Sequence, residues 1–431
     1  MPPSTPYIVH GPRGYGVAVL MALVHMLAVG DRFLLSILIE PIKAELRLGD
    51  AAIGLLQGPA FAVVHGVAII PMLLLARHWA LARLLACALL GSSGATLACG
   101  FAESIALLVP ARMLLGLVQA TIGPAALGLI VAAMAPAHRG RGISLFSAGA
   151  ALGRGTAMIG GGALLALFAT LGSTLPPWRM VFVTVGMIGM PIAFLLFQLA
   201  EPGARAGGVP ARSIGRMVEA LRRMIADRAA LAPHILAALC AVLVSQSLTS
   251  WTASLLIRMH GLTPPQAGLR VGVAMMLAGA AGHALGGALA DRWGRGGGGT
   301  GAGGGVGVSP APRLMLLGLA LCVLALGPLT RGGDAAIAIA ALVVAVIGLS
   351  TALTNGMIGL QARIPPELRV EGTAIFLTLV TVLGTALGPW AVGVASQAIA
   401  GPTGLADAIG WVLGATCLIG CGAAGLAIRR A

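Results

Sequence analysis

Charged side chains inside apolar runs are the residues of this sequence that can do chemistry. Asp31 and Arg32 stand side by side in the stretch AVGDRFLLSILIEP, and Arg112 and Arg154 lie in two later apolar runs. A carboxyl group can take up and release a proton, and a guanidinium can bind a carboxylate or a phosphate through paired N–H donors. These four side chains therefore indicate a site that handles protons, anions or both.

The elements that must position them are long apolar helices. The chain has 431 residues, of which 58% are hydrophobic and 9% charged, so a soluble globule would lack polar surface. Runs of about 18 or more apolar residues can cross a ~30 Å hydrocarbon core as helices. They begin near residues 15, 51, 80, 104, 142, 177, 231, 264, 313, 335, 371 and 403. The sequence predicts an all-α integral membrane protein with 12 transmembrane helices in two pseudo-symmetric six-helix bundles.

Composition changes along the chain predict its domains. We expect a cytoplasmic leader over residues 1–14, a first bundle over 15–200, a linker over 201–230 and a second bundle over 231–428 with a Gly-rich loop at 294–312. In the linker, apolar residues recur at helical spacing opposite several Arg residues, which indicates an amphipathic helix at the membrane surface. A specific partner site on the linker is the alternative.

The formal net charge of +14 is a topology signal. In a soluble protein such a charge would suggest nucleic acid, but here most Arg residues lie in short loops on the side of the two termini. Because basic loops stay in the cytoplasm, both termini are predicted to be cytoplasmic. We expect a multi-pass protein of the bacterial inner membrane that contacts the lipid bilayer and no nucleic acid.

Asp31 and Arg112 are expected to meet. An ionisable group at mid-bilayer costs roughly 2.5 to 3.5 kcal/mol, so it persists when it is paired, buried or useful. Counting residues from the ends of spans one and four places both side chains about 12 Å from the same membrane boundary, at 1.5 Å per residue. Arg32, about 100° away on the helix, should reach a different helix. The pair is either a movable contact that couples transport to protons or a permanent structural ion pair.

Other polar residues within the spans are candidates for binding a substrate. Arg154 could hold an anion or satisfy carbonyl groups among neighbouring glycines, and His65 is an alternative proton carrier. Spans seven and ten carry the clusters SQSLTSW and STALTN, whose hydroxyls can bond to their own helix. The side chains that do so less easily are Gln246, Trp251 and Asn355.

Two motifs carry a resemblance to a known family. GGALADRWGR places Gly287, Asp291, Arg292 and Arg295 at the spacing of a G-x-x-x-D-R-x-x-R loop, and HRGRGISLFSAGAALG runs from a basic turn into a glycine-repeat helix. The chain resembles the major facilitator superfamily of transporters. Through GDRFLLSILIEPIKAEL, ARMLLGLVQA, PPWRMVF and SLLIRMHGL it is most similar to the spinster-like branch. The resemblance implies a cavity lined by spans one, four, seven and ten, and lysolipid-type substrates.

The chain departs from the family pattern at two places. In PMLLLARHWALARL, the first-half counterpart of the loop motif, Arg77 and His78 replace the acidic residue and the Arg. In span four, Gln119 stands where members of the family carry Glu, and we count it among the substrate-binding candidates. The first departure puts a conformational latch in doubt, and the second puts inherited proton coupling in doubt.

These observations predict a secondary active transporter rather than an enzyme. The sequence has no nucleophile–base arrangement, no metal-ligand cluster and no nucleotide fingerprint, so we expect no catalytic residues, no metal and no cofactor. Four intramembrane Arg residues against Asp31 favour an anion, and apolar walls favour an amphipathic one. We predict a monomeric, proton-coupled exporter of an amphipathic or anionic small molecule such as a lysolipid, which works by alternating access. The alternatives are a transporter of small organic anions or drugs, and a transport-inactive membrane sensor or scaffold.

Overall fold

A computed structural model describes residues 12–75, 79–135, 138–172, 174–199, 211–296 and 309–430. Regular structure in these ranges is helical, because a backbone that crosses lipid must satisfy its own hydrogen bonds. The first half contains α1 (Pro12–Ile37), α2 (Ile39–Leu46), α3 (Asp50–Gln57), α4 (Pro59–Leu75), α5 (Leu81–Phe101), α6 (Ile105–Gln119), α7 (Ile122–Ala133), α8 (Arg139–Thr170) and α9 (Pro177–Phe197).

The second half begins with a helix over the predicted linker. It contains α10 (Ala211–Ala226), α11 (Arg228–His260), α12 (Pro264–Gly296), α13 (Ala311–Arg331), α14 (Ala335–Arg363), α15 (Arg369–Ile399), α16 (Gly404–Ala408) and α17 (Gly414–Arg429). A short 3-10 turn, Pro366–Leu368, precedes α15, and a π-helical turn, Ile409–Leu413, joins α16 to α17.

Twelve segments of the described chain are long and apolar enough to span a membrane, which confirms the predicted number. Their first residues are 14, 50, 81, 105, 139, 177, 228, 264, 311, 335, 371 and 404, each close to the predicted start. Large apolar side chains such as Val67, Leu277 and Leu324 remain mostly exposed, as expected for helices that face lipid. The chain is an all-α multi-pass membrane protein.

Three of the spans are interrupted. Span two consists of α3 and α4, which are separated at Gly58 before Pro59, where proline cannot donate a backbone hydrogen bond. Span four divides into α6 and α7 at Ala120 and Thr121. Span twelve contains α16, the π-helical turn and α17. The apolar runs predicted the spans but not these breaks.

The described residues pack into two compact units. Unit 1 draws on the described residues within 1–48, 59–211 and 264–272, and unit 2 on those within 49–58, 212–263 and 273–431. Thus α3 packs within unit 2, and the first residues of α12 pack within unit 1. The domain boundaries at 15–200 and 231–428 stay a prediction.

In unit 1, α1 and α8 approach closely through glycines. A Cβ atom on Gly149 would collide with the backbone of Ala22, and one on Gly153 with the backbone of Met26. Small residues at such crossings allow two membrane helices to pack backbone against backbone. This contact explains the SAGAALG segment of the sequence and sets the next residue, Arg154, beside α1.

In unit 2, glycines also bring α3 against α15. Cβ atoms on Gly54 and Gly58 would lie 2.5 to 2.9 Å from backbone atoms of Ala386, Pro389 and Trp390. On the other side of the unit, α10 is tied to the start of α15 by an ion pair between Arg216 Nε and Glu371 Oε1 at 2.8 Å. α10 lies within the predicted linker range of 201–230, and its role as a cytoplasmic linker stays a prediction.

Candidate functional site

Asp31 lies inside α1 and is nearly buried, with 5% of its surface exposed. Its Oδ2 atom accepts a hydrogen bond of 2.9 Å from the Ser92 hydroxyl of α5. A buried carboxylate is costly unless hydrogen-bond donors replace its hydration, and the hydroxyl supplies such a donor. The structure thus keeps an acid in the interior of unit 1 with a hydroxyl as its direct partner.

Gln119, the last residue of α6, extends this contact into a chain. Its Nε2 atom donates to Ser92 Oγ at 3.1 Å and to the carbonyl oxygen of Ala28 at 2.9 Å. Because an amide neither gains nor loses a proton at ordinary pH, Gln119 orients the Ser92 hydroxyl without titrating itself. This series of hydrogen bonds, from Gln119 to Ser92 to Asp31, therefore links α6, α5 and α1 and ends at one carboxyl group.

Arg112 lies in α6 with only 1% of its surface exposed. Its Nη2 atom donates to the backbone oxygen of Arg32 at 3.1 Å, and its guanidinium carbon lies 5.9 Å from the centre of the Phe61 ring. It is also close enough to Asp31 for an electrostatic interaction. The structure therefore places the predicted pair in one region, with hydrogen bonds from Ser92 to Asp31 and from Arg112 to the α1 backbone.

Arg32 turns toward a different helix from its neighbour Asp31, as predicted. Its guanidinium carbon lies 4.7 Å from the ring centre of Phe61 on α4, a cation–π contact. It also interacts electrostatically with Arg112 and with the half-buried Arg154 of α8. Arg112 thus lies between Asp31 on one side and Arg32 and Arg154 on the other in this network of interactions, and three guanidiniums against one carboxylate leave an excess of positive charge that favours an anion.

Two histidines border this region, and both have internal partners. His65 Nδ1 lies 3.2 Å from the carbonyl oxygen of Gly116, and the ring stacks on Phe61 at 5.3 Å. His25 Nδ1 lies 2.9 Å from the carbonyl oxygen of Phe146, and their rings stack at 4.0 Å. Since a carbonyl oxygen accepts, each bonded Nδ1 carries the proton. Both rings are oriented by these contacts.

The candidates in unit 2 form a separate set of contacts. Gln246 Nε2 donates to Thr385 Oγ1 at 2.7 Å, and the fully buried Trp251 donates to the carbonyl oxygen of Pro389 at 2.9 Å. Asn355 Nδ2 donates to the carbonyl oxygens of Gly286 and Thr351, at 3.2 and 2.9 Å. These bonds join α11 to α15 and α14 to α12. They provide a packing role for all three side chains, and a substrate role stays a prediction.

The loop motif lies at the end of α12. Asp291 and Arg292 are exposed there, and a Cβ atom on Gly287 would meet nothing within 4 Å. The side chain of Arg295 and the first-half counterparts Arg77 and His78 lie outside the part of the chain whose side chains the structure describes. A conformational role of the motif stays a prediction.

A charged cluster that the sequence analysis did not identify lies in unit 2. Asp50, the first residue of α3, forms two hydrogen bonds with Arg258 of α11, at 2.8 and 2.9 Å. The Ser396 hydroxyl of α15 donates to the same carboxylate at 2.6 Å. Such a bidentate pair is strong when partly buried, and it fixes α3 to both helices. The sequence signal that could have indicated a role for Asp50 is its position next to a loop, at the start of an apolar run.

A metal site is not visible in the described ranges, where no three side chains of the ligating types group together. The arrangement in unit 1 can instead exchange a proton at Asp31 and attract an anion to the guanidiniums.

A sequence model of the Major Facilitator Superfamily matches residues 21–389, most of the chain. The chain belongs to the major facilitator superfamily. The resemblance to this superfamily in the sequence motifs is thereby confirmed. Its family and fold are those of membrane transporters, which are not enzymes.

Individual relatives agree with this assignment. An MFS-type efflux pump of Mycolicibacterium smegmatis is 27% identical over 419 residues, which cover 94% of this chain and 89% of the pump. Two crystal structures of a bacterial homologue of the human lysosomal transporter Spinster, one unoccupied and one occupied, both inward-facing, share the fold with a TM-score of 0.81. They are 22% and 23% identical and cover 97% of both chains. The nucleoside transporter NupG has a TM-score of 0.70 at 14% identity, with 97% of this chain and 98% of NupG covered.

Proposed function

We propose that this superfamily member is a proton-coupled secondary active transporter that exports an amphipathic substrate with an anionic group, such as a lysolipid. The observation that carries the proposal is a series of interactions in unit 1: the buried carboxyl of Asp31 interacts with Arg112, and Arg32 interacts with Arg112 and Arg154. In this scheme the guanidiniums bind the anionic group, and Asp31 carries the proton.

The three guanidiniums differ in exposure, and we assign them different roles on that basis. Arg32 and Arg154 are half-buried, so a substrate that enters the unit can reach them, whereas Arg112 is buried and bonded to the α1 backbone. Arg32 and Arg154 are therefore the direct binding residues in this proposal. Arg112 keeps the potential positive and interacts with Asp31.

The charge on the substrate decides how protons couple to it. Neutralising Asp31 removes a negative charge close to Arg112, so a purely anionic substrate binds better to the protonated site, and proton and substrate move together. A lysolipid that also carries an ammonium group competes with the proton for Asp31, and exchange results. Export driven by proton entry requires the second case, so a zwitterionic lysolipid fits the proposal best.

Two further observations support export of such a molecule. The curated relative is described as an efflux pump. The solved structures with this fold include the Spinster homologue, and the sequence motifs of the spinster-like branch contain Asp31, Arg32 and Arg112. The Gln119 amide removes a second carboxyl from this region, so proton exchange depends on Asp31 alone in this scheme.

The test is transport in liposomes. Purified wild-type protein and Asp31→Asn would be reconstituted, and a pH gradient would be applied while labelled lysophosphatidylethanolamine or lysophosphatidylglycerol is followed. We expect the ethanolamine lipid to move against the proton flux in wild type and to lose its pH dependence in Asp31→Asn. The matched control is Asp334→Asn, because Asp334 caps α14 outside this region and Asn caps equally well.

Each other outcome contradicts a definite part of the proposal. Equal pH-driven movement in wild type and Asp31→Asn would make the Asp31 region structural. Movement of small organic anions or drugs without lysolipids would replace the substrate class. No movement of any of these by a folded protein would favour a membrane sensor or scaffold.

A further inference from the structure

A cavity of about 240 Å³ lies in unit 2, between α13 and the beginning of the last span. Its wall includes Gly327 and Arg331 of α13, Asp407 of α16, Gly410 and Trp411 of the π-helical turn, and Gly414 of α17. None of them belongs to the Asp31 region, which lies in unit 1.

Three glycines and a widened helical turn leave this space open. Gly327, Gly410 and Gly414 face the cavity, and a Cβ atom on Gly327 or Gly414 would meet no atom within 4 Å. The π-helical turn over Ile409–Leu413 adds a residue to one turn of the helix, and such turns are frequent at functional sites. Away from Thr330, Arg331 and Asp407 the wall is formed by glycines and apolar side chains, which suit a hydrocarbon chain.

The mouth of the cavity carries opposite charges. Arg331 is exposed and Asp407 is half-buried, and neither has an ion-pair partner among the described residues. The Thr330 hydroxyl, which lies beside them, already donates to the carbonyl oxygen of Leu326 at 2.8 Å. A cationic and an anionic side chain therefore remain available to a ligand.

The mouth also lies at a membrane boundary. Arg331 is the last residue of the ninth span, and Asp407 stands in the first turn of the twelfth, which runs antiparallel to it, so both lie at the same end. Trp411, one turn further in, keeps 68% of its surface exposed, as is typical of tryptophans at the level of lipid headgroups. A ligand at this position has its polar part among headgroups and its apolar part among lipid chains.

We propose that this cavity binds a membrane phospholipid whose headgroup contains both a phosphate and a primary ammonium group. The phosphate binds Arg331, the ammonium binds Asp407, and part of an acyl chain fills the glycine-lined cavity beside Trp411. The bound lipid is a stationary partner of unit 2 and not a transported substrate.

The charges select this headgroup among common ones. Phosphatidylethanolamine offers a phosphate for bidentate binding by a guanidinium and N–H donors for a carboxylate. Phosphatidylglycerol has no cation for Asp407. Phosphatidylcholine has a cation without N–H donors. The order of affinity should therefore place phosphatidylethanolamine first.

Native mass spectrometry of the full-length protein in detergent, titrated with each lipid, tests the proposal. We expect wild type to retain phosphatidylethanolamine in preference to phosphatidylglycerol, and Asp407→Asn to lose this preference by about tenfold or more, the worth of a hydrogen bond to a charged group. Gly414→Leu fills the cavity and should lower retention of every phospholipid. Gly422→Leu is the matched control, since Gly422 lies on the same helix, is exposed, has open space around it and does not line the cavity.

Three results would overturn the proposal. One is equal retention of phosphatidylethanolamine by Gly414→Leu and Gly422→Leu, and another is no preference for the ethanolamine headgroup in wild type. The third is displacement of the lipid by water-soluble glycerophosphoethanolamine, which would identify a soluble ligand instead. If Gly414→Leu does not give a folded monodisperse protein, Gly327→Leu fills the same cavity from α13, and Asp407→Asn tests the headgroup independently.

Discussion

At the scale of single residues, the Ser92 hydroxyl is the direct partner of the buried acid. It donates to Asp31 and accepts from Gln119, so its hydrogen is directed at the carboxylate by the amide behind it. A glutamate in place of Gln119 would add a second acid at the far end of this chain. With the amide, the orientation of Ser92 does not depend on a proton at position 119, and Asp31 is the one carboxyl group of this hydrogen-bonded chain.

We therefore expect Ser92→Ala to affect both stability and transport. Removing the Ser92 hydroxyl takes one hydrogen-bond donor from the buried Asp31 carboxylate, which should lower the free energy of unfolding by about 1 to 3 kcal/mol. The pH profile of transport in liposomes should be displaced from that of wild type. Ser93→Ala is the control, because Ser93 is equally buried but faces Gly189 of α9. Identical pH profiles of transport for Ser92→Ala and Ser93→Ala would show that Ser92 has no part in the mechanism.

The charged residues of this region were predictable from sequence, but its polar neighbours were not. Asp31, Arg112 and Arg154 are conspicuous because ionisable groups are rare in apolar runs. Ser92 is not conspicuous, since a hydroxyl in a helix can bond to its own backbone, as Ser247 and Thr252 do. The partner of such a hydroxyl depends on tertiary packing.

At the scale of elements, contacts between glycine and backbone position the charged residues. The approach of α8 to α1 at Gly149 and Gly153 places Arg154 near Arg32. In these helices both faces are apolar, so hydrophobicity does not choose which face turns inward. The glycines decide which face turns inward, because only at their positions can two backbones come so close.

Gly153→Leu should destabilise the packing of α1 on α8. Its Cβ would meet the backbone of Met26, which cannot move aside as a side chain can, and overpacking of this kind costs about 1 to 3 kcal/mol. Gly160→Leu, seven residues along the same helix, meets open space and should be nearly neutral. Thermal unfolding in detergent compares the two. A similar melting temperature for both variants would show that the helices can separate without loss.

The attachment of α3 to unit 2 through Asp50 can be tested in the same way. Asp50→Ala leaves the guanidinium of Arg258 partly buried without its carboxylate, which should cost about 3 kcal/mol or more of unfolding free energy. The control is Glu219→Ala, which removes the exposed ion pair with Arg223 on α10 and should cost less than about 1 kcal/mol. Equal losses in the two variants would show that the Asp50 pair contributes no more than a surface pair.

At the scale of the whole molecule, hydropathy predicted the architecture because the bilayer dictates it. Each span needs about 20 apolar residues, so twelve runs give twelve helices with well-placed starts. Which spans pack together is a different matter, since lipid-facing and buried faces have the same composition. The packing of α3 with unit 2 depends on Gly54, Gly58 and the distant Arg258, and no local pattern contains that information.

The Asp50–Arg258 pair has a consequence for the synthesis of this protein. The two residues are separated by 208 positions in the chain. At elongation rates of about 5 to 20 residues per second, the ribosome needs about 10 to 40 s to reach Arg258 after it has made Asp50. During that time the newly inserted α3 has neither its guanidinium nor the surface of α15. Its carboxylate must remain hydrated at the membrane boundary, or in the insertion machinery, until the second half of the chain arrives.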